Sequence, residues 1–261
     1  ADLSAEPSLA FDIEAVPYAG GSEALSAPQV AGAMLGAMRR HAEAAAEGAP
    51  ITRWVLAAPP AIRKEGFAAL LDAAVVGGLA DGDAERIDVV DSLDAAASVY
   101  APTHRPKDPS SGPSRVLIVD VGYAFTSAGV YELPAEGVPT RLSLAHDSVG
   151  ARDLDRILWE HCAAELQAKH GTRVAPRTKP ARRLMEEVVK CKKILSTIAS
   201  CSLELECFGE EERDIRLGLT RAQFEEMAET HVERVAAVVR RAVAEAGACA
   251  PAEELRAVEG I

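Results

Sequence analysis

The stretch RVLIVDVGYAFTSAGVYEL, residues 115–133, constrains this chain more than any other. Residues 116–119 are a short continuous apolar run rich in β-branched side chains, the pattern of a strand buried on both faces. The run ends at Asp120, followed by Val121 and Gly122, and a second strand-like segment covers 125–133. A buried strand that stops at an acid and a glycine, then folds back, puts one charged side chain at a sheet edge. Ligands in open α/β sheets bind beside such strand ends. The same residues read equally well as an ordinary hairpin with Asp120 in its turn.

The rest of the chain alternates strand and helix. Residues 8–15 suit an edge strand, and 18–22 a turn. Ser26, Pro28 and a helical recurrence of Val30, Met34, Ala37, Met38 and His41 predict a helix closed by Gly48 and Pro50. A strand over 51–58 stops at Pro59 and Pro60, and an amphipathic helix over 62–76 ends at Gly77 and Gly78. Residues 87–90 are a short strand, and Asp91 or Ser92 caps a helix over 93–100. This order predicts parallel pairing with helices laid on the sheet.

Residues 101–114 hold four prolines and are expected to be a linker between a first lobe, 1–100, and a second, 115–261. In the second lobe a strand over 140–145 precedes a helix from about 153 to 170, with Ser148 as its cap and Gly171 as its stop. A helix over 180–195 follows, and a helix-rich subdomain is expected over about 149–219. Residues 202–207 alternate, with Leu203, Leu205 and Cys207 predicted on one face, and 215–219 form the partner strand. Thr220 and Gln223 make a capping-box pattern opening a helix to Ala246, with Gly247 as its end. An apolar run at 257–261 starts a strand and stops, which suggests a domain truncated there.

Composition narrows the function. A chain of 261 residues with 48% hydrophobic and 26% charged side chains can build a large globular core. A net charge of -12 and only 4% aromatic residues argue against a phosphate-backbone surface or a stacking platform, so no nucleic-acid partner is expected. No apolar run is long enough for a bilayer and no signal segment opens the chain, so no membrane partner and a cytoplasmic location are expected. Five cysteines without C-x-x-C spacing suit reduced, packed thiols. Nucleophile-elbow, P-loop and zincin patterns are absent.

Seven segments in order — 51–59, DSLDAAASVY at 91–100, VLIVDVG at 116–122, VGARDLD at 149–155, ARRLMEEVVKCKKILS at 181–196, LELECF at 203–208 and TRAQF at 220–224 — resemble the nucleotide-binding domain of DnaK-type heat-shock protein 70 chaperones. The resemblance runs from about Ser26 to the end. It implies an α/β, actin-like (ribonuclease H-like) two-lobed ATPase fold, truncated at both ends, with ATP or ADP and magnesium between the lobes. The GARD run at 150–153, the KCKK and ILS runs up to Ser196, and LECF resemble the heat-shock protein 110 branch. That branch is similar in fold and works chiefly as a nucleotide-exchange partner and holdase. The degenerate ribosome-associated branch is a second resemblance.

The departures from the family pattern carry the functional expectation. Where the family has a carboxylate, three glycines, a threonine and a second carboxylate, this chain reads DVGYAFTS over 120–127. Tyr123 and Ala124 replace glycines that let a backbone approach phosphates. Phe125 stands for the threonine and Ser127 for the second acid, and Thr126, pointing to the opposite face, is no substitute. Ser92 stands where the family has a glutamate. Asp120 alone would hold magnesium, through water, and Gly122 and Gly150 would line the phosphates. On the helix over 180–195, Val189, Lys192, Lys193 and Ser196 share a face. The family places an acid, two bases and a serine there for the adenosine, so Lys192, Lys193 and Ser196 imply a weakened purine site. Lys192 and Lys193 read equally as a solvated basic helix end favouring the helix dipole.

The first phosphate loop with its lysine, and the Gly-Gly loop under the adenine, would lie outside this sequence. The expectation is therefore weak nucleotide binding with hydrolysis nearly abolished. Partners would be a DnaK-type chaperone and unfolded client proteins, met through the 149–219 region. An active but slow ATPase chaperone, and a structural subunit that holds no nucleotide, are the alternatives.

Overall fold

The structure, a computed structural model, describes residues 12–13, 25–62, 64–209 and 212–249. The expected turn at 18–22 and the strand at 257–261 lie outside those residues. The chain divides into two compact units, one of residues 1–120, 127–148 and 239–261, the other of 121–126 and 149–238. The stretch 101–114 thus lies within the first unit.

In the first unit, β1 (Asp12–Ile13) pairs antiparallel with β2 (Leu25–Ser26). Helix α1 (Ala27–Ala45) opens at Ser26, whose N–H donates to Gln29 Oε1 at 2.8 Å, and the chain turns off it at Gly48 with φ 82°. Strand β3 (Trp54–Ala58), helix α2 (Lys64–Val76) and strand β4 (Ile87–Asp91) follow, and β3 pairs parallel with β4 as the alternation predicts. Leu71, Ala74, Leu79 and Ile87 pack with Leu35, Trp54 and Leu56 into a small core. Helices α1 and α2 meet on glycine: a Cβ on Gly77 would lie 2.7 Å from Gly32 O, a backbone clash.

Asp91 caps α3 (Ser92–His104), its Oδ1 accepting from Leu93 N–H at 2.9 Å. The helix corrects the sequence reading, because it runs four residues into the expected linker and through Pro102. One proline near a helix end removes one N–H, and the last turn is held by His104 stacked on Tyr100, ring centroids 3.7 Å apart. Strands β5 (Ser114–Val121), β6 (Thr126–Leu133) and β7 (Thr140–Arg141) form one sheet, with β8 (Ala145–Asp147) on β6. The predicted single strand over 140–145 is therefore two short ones. Leu93, Ala97 and Ala101 pack on Val116, Tyr131 and Leu133. β5 is not buried on both faces: Val119 and Val121 stay 41% and 53% exposed. Its β-branched run records strand preference, not cover on two sides.

The second unit is built on α4 (Ala151–His170), α5 (Lys179–Leu195), the antiparallel pair β9 (Ser200–Phe208) and β10 (Arg213–Thr220), and the start of α6 (Arg221–Cys249). Leu158, Cys162 and Leu166 of α4 interlock with Leu184, Val188, Cys191 and Leu195 of α5 over Leu203, Leu205, Ile215, Leu217 and Leu219. Cys207 departs from the predicted alternation: it is exposed, at φ 45°, and Phe208 takes the buried place. The register shift between Arg213 and Ile215 is the bulge that turns it out. The capping box at α6 is present in both directions, Thr220 N–H to Gln223 Oε1 at 3.0 Å and Gln223 N–H to Thr220 Oγ1 at 3.3 Å. Gly247 does not end α6, which reaches Cys249; a glycine costs a helix interior only about 1 kcal/mol.

Candidate functional site

The candidate site centres on the turn after β5. Gly122 N–H donates to Phe125 O at 2.8 Å, closing the turn at 122–125. No residue from 120 to 127 has positive φ. Tyr123 and Ala124 therefore sit there without strain, and the turn makes no use of the freedom that glycines would give it. Tyr123 is 69% exposed. Asp120, at the end of β5, is exposed, with no hydrogen bond or ion pair to its carboxylate among the described residues.

The turn is fastened to α4. Ala151 N–H donates to Gly122 O at 3.0 Å and Arg152 N–H to Tyr123 O at 2.9 Å. Two of the four orphan donors at this helix start are thereby satisfied by the chain itself. Asp153 completes the cap, accepting from Gly150 N–H at 2.9 Å through Oδ2, and Asp153 N–H donates to Gly150 O at 3.1 Å. Gly150, not Ser148, is thus the cap residue of a helix that begins at Ala151 rather than near Asp153. The reason is steric: a Cβ on Gly150 would lie 2.5 Å from Tyr123 O and 2.7 Å from Gly122 O. Thr126 is fully buried and its hydroxyl donates to Val149 O at 2.8 Å, so it tethers the turn and is closed to any ligand. Ser127 is also buried.

At the end of α5, Lys192 pairs with Asp155 of α4 at 2.5 Å, and the Asp155 side chain is 6% exposed. Lys193 and Ser196 are exposed, and Ser196 Oγ donates to Lys193 O at 2.6 Å. Thus Gly122 and Gly150 meet, and Lys193 and Ser196 lie together on the helix end. Lys192 is drawn instead into a structural ion pair. Asp155 was missed by sequence reasoning, yet it stands three and seven residues before Leu158 and Cys162 on the apolar stripe of α4, where a carboxylate needs a partner.

At Ser92 the hydroxyl is buried without a hydrogen-bond partner. The acids beside it serve structure: Arg141 Nη1 lies 2.7 Å from Asp91 Oδ2 and 3.1 Å from Asp94 Oδ1, and Tyr131 Oη donates to Asp94 Oδ1 at 2.7 Å. Burial first, and Asp94 second, push the Tyr131 hydroxyl well above its ordinary range. Among the described residues no group of three or more His, Cys, Asp or Glu side chains is placed to hold a metal ion.

The profile of the Hsp70 protein family matches residues 11–260, nearly the whole chain. The chain belongs to the heat-shock protein 70 family. Among curated relatives, it is 27% identical over 230 residues to "Heat shock 70 kDa protein 16" of Arabidopsis thaliana, covering 88% of this chain and 29% of that one. It is 28% identical over 259 residues to "Heat shock 70 kDa protein 14" of the same plant, covering 93% and 30%. It is 25% identical over 232 residues to "Heat shock protein hsp88" of Neurospora crassa, covering 88% and 32%. The chain spans about a third of the length of these relatives. The resemblance read from the sequence is thereby confirmed, and the α/β fold of the heat-shock protein 70 nucleotide-binding domain is the family's actin-like one.

The family implies a magnesium nucleotide, and the residues present fit it poorly at the phosphate end. The first N–H donors of α4, at Ala151 and Arg152, are engaged by the Gly122 and Tyr123 carbonyls. Lys193 and Ser196, expected from the resemblance to meet the adenosine, are open to solvent.

Proposed function

We propose that this chain is a chaperone-family domain of the heat-shock protein 110 kind, acting as a nucleotide-exchange partner for a DnaK-type chaperone. ATP binds it weakly at most and is hydrolysed little or not at all. The observation that carries the reading is the fastening of Gly122 and Tyr123 carbonyls onto the N–H groups of Ala151 and Arg152. A helix start binds anions through free N–H groups, and here carbonyl oxygens face those donors instead. The GARD and LECF segments, and a relative named hsp88, support the branch. The docking face would lie on 149–219, and unfolded client proteins are the other partners of this reading.

The test is release of labelled ADP from a working DnaK-type chaperone, with the protein added in excess. Faster release, together with no phosphate production by the protein alone, is the expected result. Unchanged release together with phosphate production would replace this reading by that of an active ATPase chaperone. Unchanged release with no nucleotide bound would favour a structural subunit.

A further inference from the structure

A groove of about 990 Å³ runs along α6, lined by Leu154 of α4 and by side chains of α6 from Phe224 to Arg234, all within the second unit. Phe224, Ala228 and Val232 stand four residues apart and follow one another along one face of the helix, about 6 Å per step. Phe224 packs against the core of the unit and Ala228 is buried, whereas Val232 is 60% exposed. A small side chain between two larger ones leaves room there for a side chain from outside.

Beside this stripe lies a row of acids. Glu225, Glu226 and Glu229 line the groove and are exposed, and none has an ion pair or hydrogen bond to its carboxylate among the described residues. On the other helices of this unit, Glu165, Glu186 and Glu187 pair with Lys169, Arg182 and Lys190. On α6 the residue four beyond Glu225 is Glu229, and four beyond that is Glu233, like charges at a spacing that destabilises a helix. The helix dipole does not account for them, since it acts within the first turn, and the first turn of α6 holds no acid. Glu233 and Arg234, at the far end of the groove, already have interactions of their own.

We propose that this groove is the docking site of a basic amphipathic helix on a partner protein. Apolar side chains of that helix, at i, i+3 or i+4 and i+7, would lie over Leu154, Phe224, Ala228 and Val232. Lysines or arginines flanking them would meet Glu225, Glu226 and Glu229. Two turns of a partner helix cover the same length as the stripe. Charge selects the occupant: an anionic membrane surface or a nucleic acid is repelled by the same three carboxylates. A second copy of this chain is a poor match, because α5, its basic amphipathic helix, has Leu184, Val188, Cys191 and Leu195 in the core. The face lies mainly on α6, outside the 149–219 region, and does not rest on the exchange-partner reading.

The test titrates the protein against a fluorescein-labelled helical peptide with leucines at i, i+4 and i+7 and lysines beside them, read by fluorescence anisotropy. Two control peptides keep the length: one has glutamate for every lysine, the other serine for every leucine. We expect the leucine–lysine peptide to bind, and both controls to bind far more weakly. Val232→Ser, at an exposed position that leaves the core untouched, should weaken binding roughly tenfold. Glu225→Gln with Glu229→Gln should weaken it several-fold and flatten its salt dependence. Glu47→Gln with Glu85→Gln, exposed acids of the first unit, should leave it unchanged. No binding, equal binding of the leucine-free peptide, or an equal loss with the first-unit acids would overturn the proposal. So would dimerisation of the protein alone that Val232→Ser abolishes, which would make a second copy the occupant.

Discussion

Two places in the second unit that the resemblance assigns to a nucleotide, the turn at 122–125 and the end of α5, are built differently. At the turn, carbonyls of Gly122 and Tyr123 sit on the α4 donors, and the Thr126 hydroxyl is turned inward to Val149. At the end of α5, Lys193 and Ser196 are exposed, and Lys192 pairs with Asp155. A side-chain site on a well-packed helix survives single replacements, because the helix is held by its buried face. Backbone donors, by contrast, are open to a ligand only where no carbonyl already faces them. The turn is therefore the place to test first.

The largest expected effect breaks that turn. Gly150→Ala forces a Cβ into the Gly122 and Tyr123 carbonyls and should cost about 3 kcal/mol, read as a lower denaturation midpoint. Hydrogen exchange at the Ala151 and Arg152 amides should accelerate with it. Unchanged exchange would mean that the turn is not fastened there. Next, Asp155→Asn leaves Lys192 half-buried without its counter-ion and should cost about 2 kcal/mol, discounted for the solvent that reaches the lysine. A double-mutant cycle with Lys192→Met should show positive coupling; simple additivity would argue that Lys192 is free for a ligand after all. Thr126→Val should cost about 1–2 kcal/mol by leaving the Val149 carbonyl unpaired. It should leave nucleotide affinity unchanged, and a fall in affinity would show that the hydroxyl does contact ligand.

The smallest effect is a control in the first unit. The folded state raises the Tyr131 hydroxyl above its unfolded value, about 10, through burial and then Asp94. Its contribution is fully present below that pH and is lost as pH rises towards the folded value. Tyr131→Phe should cost about 1 kcal/mol at neutral pH and flatten the alkaline fall in stability, leaving the turn and the end of α5 as they were.

Much of the scaffold was legible in the sequence because it rests on periodic burial. The helix over 180–195, the alternation of Leu203 and Leu205, and the Thr220–Gln223 cap each appear where their pattern puts them. What failed was set by local backbone chemistry or tertiary cover. Pro102 is tolerated because a stacked His104 holds the last turn, and Cys207 is turned out by a bulge. β5 lies half-open despite its apolar run. At the site, the loss of glycines at 123 and 124 could be read directly. The capture of the α4 donors by carbonyls could not, since it depends on how closely Gly150 lets two segments approach.

The most direct measurement of the central claim is single-turnover incubation of excess protein with labelled Mg-ATP, with binding followed by calorimetry in parallel. The account predicts weak or absent heat and phosphate release no faster than in buffer. Tight binding followed by hydrolysis that Asp120→Asn abolishes would contradict it.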